Sequence, residues 1–339
     1  MEFPEEKFAR QLYNEMSRQI VPRRSVQLSI QGGGVQWHCS ISLVERSATV
    51  HCFTLSNETP EFLTFFRSSD QEIATARTSS MESTVRAVSQ WLDSDDLTRL
   101  YESFPFVDHL KRRLLSIKQT VLQCAPALEN GSELKYWGSG IYYLWLRNRT
   151  RSARISYYGK NEAPDVICHW DDCELFKFRG IDLQFLANVI KRWLCDETQP
   201  SEMRKEFPAL SIGKLADYYE AGKPIEGEFV DSWDHIERFY DERNFPPRPR
   251  VLDLIHHLRS QGYDRILRAG QSMFTFILSR SRRHGLRLDQ SCIYFEFQSE
   301  HEMRVSLKIG DTQKEFVTEI APSQVLATFL NQLVESPVD

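Results

Sequence analysis

The sequence has no apolar run approaching the roughly 20 residues that span a bilayer. Its start, MEFPEEKFARQL, offers neither a basic segment nor an apolar one. Both absences predict a soluble protein with no membrane partner and no secretory route. Cysteine is sparse, with seven residues scattered over 339. An odd, dispersed set fits free thiols in a reducing compartment, so the expected location is the cytoplasm. There is no GxSxG, HExxH, phosphate-loop, dinucleotide-binding or paired CxxC pattern. Each of those fixes a nucleophile, a metal or a phosphate cradle in a known local geometry. Without them no catalytic residue, metal ligand or cofactor is assigned. A charge excess of one sign is missing too: 42 Lys and Arg stand against 47 Asp and Glu, a net of -5. That balance argues against a dedicated nucleic-acid binder, although a local basic patch is compatible with it.

What the chain does contain is an ordinary globular composition, 41% hydrophobic, 12% aromatic and 26% charged. It is enough to build real cores. The stretch 137–159 reads as a strand, a basic hairpin tip and a second strand. A shifted echo runs over 268–297 and a fainter one over 35–53. Helical periodicity precedes and follows each of them. The segment Ser89–Leu92, SQWL, is echoed by KRWL at Lys191–Leu194. These features predict an α+β chain of three divergent helix–antiparallel sheet–helix units. Their bounds are 1–104, 105–200 and 251–339. An acidic, aromatic and mainly helical insertion, 201–250, ends in the stiff Pro246, Pro247 and Pro249.

Within the first unit, Phe8, Leu12, Met16 and Ile20 make a helical stripe. Gly32, Gly33 and Gly34 read as a turn, since no Gly-Lys-Ser/Thr follows. Val35, Trp37, Cys39, Ile41 and Leu43 alternate along a half-buried strand. A tip at Glu45 and Arg46 would set Cys39 opposite Cys52. His38, Cys39, His51 and Cys52 invite a zinc reading, but adjacent residues of a strand face opposite ways and cannot all converge. Residues 68–80 read as a polar loop.

The second unit opens with the stripe Leu110, Leu114, Ile117 and Val121, with Lys111, Arg112 and Arg113 at a helix start that disfavours cations. Ile141–Leu146 is nearly all apolar and is expected to be covered on both faces. Asp171 and Asp172 form a hairpin tip. Asp165, Glu174 and Lys177 loosely resemble the set of metal-dependent nucleases, yet Glu174 and Lys177 face opposite ways on a straight strand. Asp182 is placed to cap the next helix. In the insertion, His235 is the one conceivable acid–base group, with no nucleophile placed beside it. The third unit starts with Val251, Leu254, Ile255 and Leu258. A short strand is expected at 263–268 and a turn at Gly270, then strands to Ile320 and a final helix from Pro322.

The sharpest functional hint is a recurrence of arginine. Arg147, Arg149, Arg151 and Arg154 flank one hairpin tip, and Arg280, Arg282, Arg283 and Arg287 crowd another. The first unit has only Arg46 in that place. Guanidinium forks pair with carboxylates or phosphates. The expectation is a protein-interaction or adaptor protein, without catalysis, whose arginine tips meet an acidic protein surface. Nucleic acid is the alternative partner, and an enzyme with a dispersed site is the third class. An exposed aromatic face would favour the interaction reading.

Overall fold

The computed structural model describes residues 3–34, 36–54, 59–94, 96–138, 141–157, 163–180, 182–283 and 289–338, without the Arg23 side chain. The chain forms two compact units, Met1–Thr198 and Gln199–Asp339. Its fold is α+β, with three five-stranded antiparallel sheets separated by helices.

The first sheet follows α1 (Pro4–Gln19) and consists of β1 (Gln27–Gly33), β2 (Gln36–Leu43), β3 (Arg46–Thr54), β4 (Pro60–Ser68) and β5 (Gln71–Thr78) in chain order. Helices α2 (Met81–Asp93) and α3 (Leu97–Ser103) close it. Leu12 and Met16 of α1 and Val85, Val88 and Trp91 of α2 share one core with Cys39, Val50 and Phe66 of the sheet. Alternation along each strand sends one side-chain set to this core and the other outward. Burial pushes the core thiols of Cys39 and Cys52 up to about 12. The imidazoles of His38 and His51 stack on the other face, 5.1 Å apart.

Two expectations are corrected here. Residues 71–78 form an edge strand, not a loop, because β5 places Ala74 and Ala76 against the core between polar neighbours. The β2–β3 turn is Val44-Glu45, one residue earlier than expected, so Cys39 faces Val50 and Cys52 faces Trp37. A β-branched residue rarely takes positive φ. Val44 does so, at 51°, and is 96% exposed.

The second sheet follows α4 (His109–Cys124). Its strands are β6 (Ser132–Gly138), β7 (Ile141–Asn148), β8 (Arg151–Ser156), β9 (Asp165–Trp170) and β10 (Cys173–Arg179), again a plain meander. Helix α5 (Leu183–Ile190) follows, with Asp182 accepting from the Gln184 and Phe185 amides. It runs into a π-turn, Lys191–Cys195, that carries Trp193. Strand β6 has no counterpart among the expected elements. The two sheets are joined through Asp108, which sits at φ 46°. Its carboxylate accepts from the Thr75 amide at 2.9 Å and the Tyr101 hydroxyl at 2.8 Å. That pins the start of α4 to β5.

The second compact unit opens with α6 (Pro200–Glu206), α7 (Leu215–Glu220), α8 (Pro224–Asp241) and α9 (Arg248–Ser260). Its sheet is β11 (Arg268–Ser272), β12 (Thr275–Ser279), β13 (Cys292–Phe297), β14 (Glu302–Ile309) and β15 (Thr312–Glu319), closed by α10 (Gln324–Val334). Trp233, Ile236 and Tyr240 of α8 lie in the core of this sheet, so the insertion is part of its packing. Residues 263–265 are a 3-10 turn, not a strand, and Gly270 lies inside β11. The turn that follows is Met273-Phe274, with Met273 at φ 53°. The final helix begins at Gln324, where the Ser323 hydroxyl caps the Leu326 amide.

Candidate recognition face

The arginines at the hairpin tips are largely engaged within the chain. Arg46 and Arg151 are the first residues of β3 and β8, and each donates to the carbonyl of the tryptophan in its closing helix. The bonds are Arg46 to Trp91 and Arg151 to Trp193, both 3.2 Å. Arg280 similarly donates to the carbonyl of Ser336, just past α10, at 3.0 Å. A cation at the carbonyl end of a helix is favourable. The recurrence therefore has a structural role in all three sheets. Arg151 also donates to Thr198 at 2.7 Å, and its guanidinium lies 4.1 Å from the Trp170 ring and 4.2 Å from the Trp193 ring.

Arg282 and Arg283 pair with the buried carboxylate of Glu228 at 3.0 and 3.2 Å. Arg147 and Arg149 make exposed pairs with Asp172 at 2.6 Å and Glu197 at 3.0 Å. Such pairs contribute little to stability. Arg287 lies outside the described residues. Among the seven described arginines of this set, Arg154 alone points to a different kind of site.

Arg154 belongs to the face of the second sheet turned away from Leu144, Leu146 and Ile155. Leu144 and Leu146 are buried, whereas Tyr143 and Trp145, which alternate with them, are half-buried. The expectation that this strand is covered on both faces is thus corrected. Aromatic residues read as apolar in sequence but tolerate a half-wet surface. A β-bulge at Trp137, between the pairs Tyr136–Tyr142 and Gly138–Ile141, throws the Trp137 side chain outward, where it is 65% exposed. Bulges re-aim side chains in this way.

The result is a continuous strip of rings. Trp137 meets Tyr143 at 6.1 Å, Tyr143 meets Trp145 at 6.4 Å, and Trp145 meets His169 at 5.6 Å. Because β8 runs between β7 and β9, the last pair arches over it. Ser152, beneath that arch, is only 1% exposed, and Ser156 further along is 2% exposed. Lys135 approaches the Trp145 ring at 5.9 Å.

Polar atoms under this strip are unsatisfied. Buried polar groups nearly always find a hydrogen-bond partner. Among the described residues, six buried side-chain atoms lack one. Four of them are here: Ser152 Oγ, Arg154 Nε, Ser156 Oγ and His169 Nδ1. Burial, and then the charge of Arg154, holds the His169 pKa below its ordinary value. Arg154 itself has Trp145 and Ile167 as cross-strand neighbours, neither of them acidic.

Other expected sites do not assemble in this way. A bulge between Glu174 and Phe176 brings Glu174 and Lys177 to one face, correcting the straight-strand reading. Asp165, however, pairs with Arg179 at the far end of that hairpin and remains remote from Glu174. Asp171 and Asp172 both have positive φ, the conformation that a tight hairpin demands. Of the cations opening α4, Arg112 donates to the Val107 carbonyl at 3.2 Å and Arg113 lies 4.2 Å from the Tyr157 ring. His235 sits exposed on α8, with Nδ1 2.8 Å from the Asp231 carbonyl. No helix among the described residues is long and apolar enough to cross a membrane, and no three His, Cys, Asp or Glu side chains there gather as a metal site.

No family model, curated protein or solved structure matches this chain.

Proposed function

We propose that this chain is a protein-interaction protein that engages its partner through the outer face of the second sheet. The observation that carries this reading is the ring strip from Trp137 to His169, ending on an exposed tryptophan beside the sheet edge. Tryptophan and tyrosine are enriched at the centres of interfaces, and an exposed contiguous patch of them marks a contact surface. Strand β6 is an edge strand, a position that supports the addition of an extended partner segment. Arg147 and Arg149, held in surface pairs at one end of the same sheet, form an outer rim that steers an acidic partner. The internal resemblance of the three sheets fits three copies of one unit, of which the second is specialised for binding.

A photo-crosslinking residue placed at position 137, and separately at Phe53 on the first sheet, tests the proposal. The expected outcome is one dominant crosslinked protein from position 137, lost on Trp145→Ala, with no equivalent from position 53. Equal products from both positions would overturn it. Recovery of single-stranded RNA or DNA in place of a protein would also overturn it, and would assign the ring strip to base stacking.

A further inference from the structure

We infer that the same face contains a carboxylate receptor centred on Arg154, and that the carboxylate it takes is an acidic side chain in an extended segment of the partner. The inference rests on the interaction reading above and adds the chemistry of recognition. Its basis is the concentration of unsatisfied atoms on one face. Ser152, Arg154 and Ser156 are alternate residues of β8, so each neighbouring pair lies roughly 6.6 Å apart along the strand. Arg154 Nε can only donate, and each serine hydroxyl can donate. Together they present donors to a missing acceptor.

No described residue supplies that acceptor. Among the described residues Arg154 makes no ion pair or hydrogen bond, while Asp165, the acid opposite Ser156, pairs with Arg179 at 3.4 Å. Trp145 and Ile167 flank Arg154 and displace water without neutralising its charge. Both effects raise the value of an incoming anion. Asp165 and Glu174 belong to the same outer face, opposite Ser156 and His169, where Lys177 and Arg179 offset them and Arg179 pairs with Asp165. The acceptor called for is therefore set by the donors: one guanidinium N–H flanked by hydroxyls, which a single carboxylate matches. The position of β6 at the sheet edge and the outward Trp137 favour an extended chain as its carrier.

The direct readout is the nitrogen–proton signal of the Arg154 Nε group in the full chain, identified by its absence in Arg154→Gln. Four probes are titrated: acetate, inorganic phosphate, a capped pentapeptide with one glutamate between valines, and the same peptide with glutamine. Acetate is expected to shift this signal saturably, ahead of phosphate. The glutamate peptide should bind at least tenfold more tightly than the glutamine peptide, and Arg154→Gln should erase that preference. Arg154→Lys keeps the charge but not the fork, and should weaken binding several-fold. It carries the test if the glutamine variant does not fold. No saturable shift with acetate, an ordered water alone satisfying the group, or equal binding of the two peptides would overturn the receptor. Phosphate binding ahead of acetate would overturn the carboxylate assignment. A crosslink at position 137 with a silent Arg154 signal would remove the receptor and leave the interaction face standing; silence at both would remove both.

Discussion

On the outer face of the first sheet, the Thr49 hydroxyl accepts from Arg67 at 3.0 Å and lies 3.3 Å from the Ser40 hydroxyl. On the matching face of the second sheet, Ser152 Oγ, Arg154 Nε and Ser156 Oγ have no hydrogen-bond partner among the described residues. Both sheets are five-stranded meanders with their third strand in the middle. Both present histidine and aromatic rings on the outer face: His38, His51 and Phe65 in one, Tyr143, Trp145 and His169 in the other. The difference is whether the polar atoms beneath the rings are satisfied by the chain. A satisfied network rigidifies a surface, whereas an unsatisfied one retains donors for something else. Aromatic content alone therefore does not identify the binding face. What sets the two faces apart is the hydrogen bonding beneath the rings.

The same pairing of sheets sets the largest expected effect. Arg46 and Arg151 occupy one structural position, but Arg151 is buried between two indoles and has a second carbonyl acceptor. Hydrogen bonds from a charged donor contribute more than neutral ones, and a desolvated cation–π contact adds to them. Arg151→Ala should cost about 3 kcal/mol and Arg46→Ala about 1 kcal/mol. Urea unfolding of the two variants measures the gap, and equal losses would deny that the second tip is the more deeply built. Next in size is binding. Trp137→Ala and Trp145→Ala should each weaken partner capture about tenfold, the scale of an interface centre. Phe53→Ala, the exposed ring of the first sheet, should leave capture unchanged in the same titration.

Much of this architecture is legible from periodicity. The stripes Leu12–Met16, Leu114–Ile117–Val121 and Leu326–Leu330 do face cores, and the tips at 149–150, 171–172 and 310–311 fall where polar turn residues stand. Legibility fails where conformation is decided by tertiary contact. Val44 takes a left-handed turn position that its side chain disfavours, so the β2–β3 register moves by two residues. Strand β5 looks like a loop because only Ala74 and Ala76 mark its inner face. The candidate site was legible only in part. Arginine clustering draws attention to β8, the strand of the proposed face, but most of those side chains bind helix carbonyls or carboxylates of the same chain. What singles out Arg154 is an Nε without a partner among the described residues, and no sequence pattern records a missing bond.

A smaller effect concerns acid. Burial comes first in lowering the pKa of both His51 and His169, followed by His38 for the former and Arg154 for the latter. A histidine whose folded pKa lies below its unfolded value near 6.5 takes up fewer protons when folded. Stability is then complete above that unfolded value and declines as pH falls toward the folded one. Melting temperatures followed downward from pH 7 should drop less steeply for His169→Gln and for His51→Gln than for the parent. An unchanged slope in both variants would mean that neither imidazole is held neutral by its surroundings. Arg154→Gln removes one of the charges opposing His169 and should also flatten the decline, with no matching effect on the His51 contribution.

The contrast between satisfied and unsatisfied faces is tested most directly by two conservative substitutions in the free protein. Thr49→Val removes a hydroxyl that holds partners and should lower stability by about 1 kcal/mol. Ser152→Ala removes a buried hydroxyl that has none and should leave stability unchanged or raise it by about 1 kcal/mol, since an unpaired polar group is costly to bury. Chemical unfolding of the parent and both variants under one condition gives the two differences. Opposite signs, or a loss confined to Thr49→Val, is the predicted result. An equal loss for Ser152→Ala would show that its hydroxyl is already satisfied, and would contradict the account of the second sheet as a face that awaits its partner.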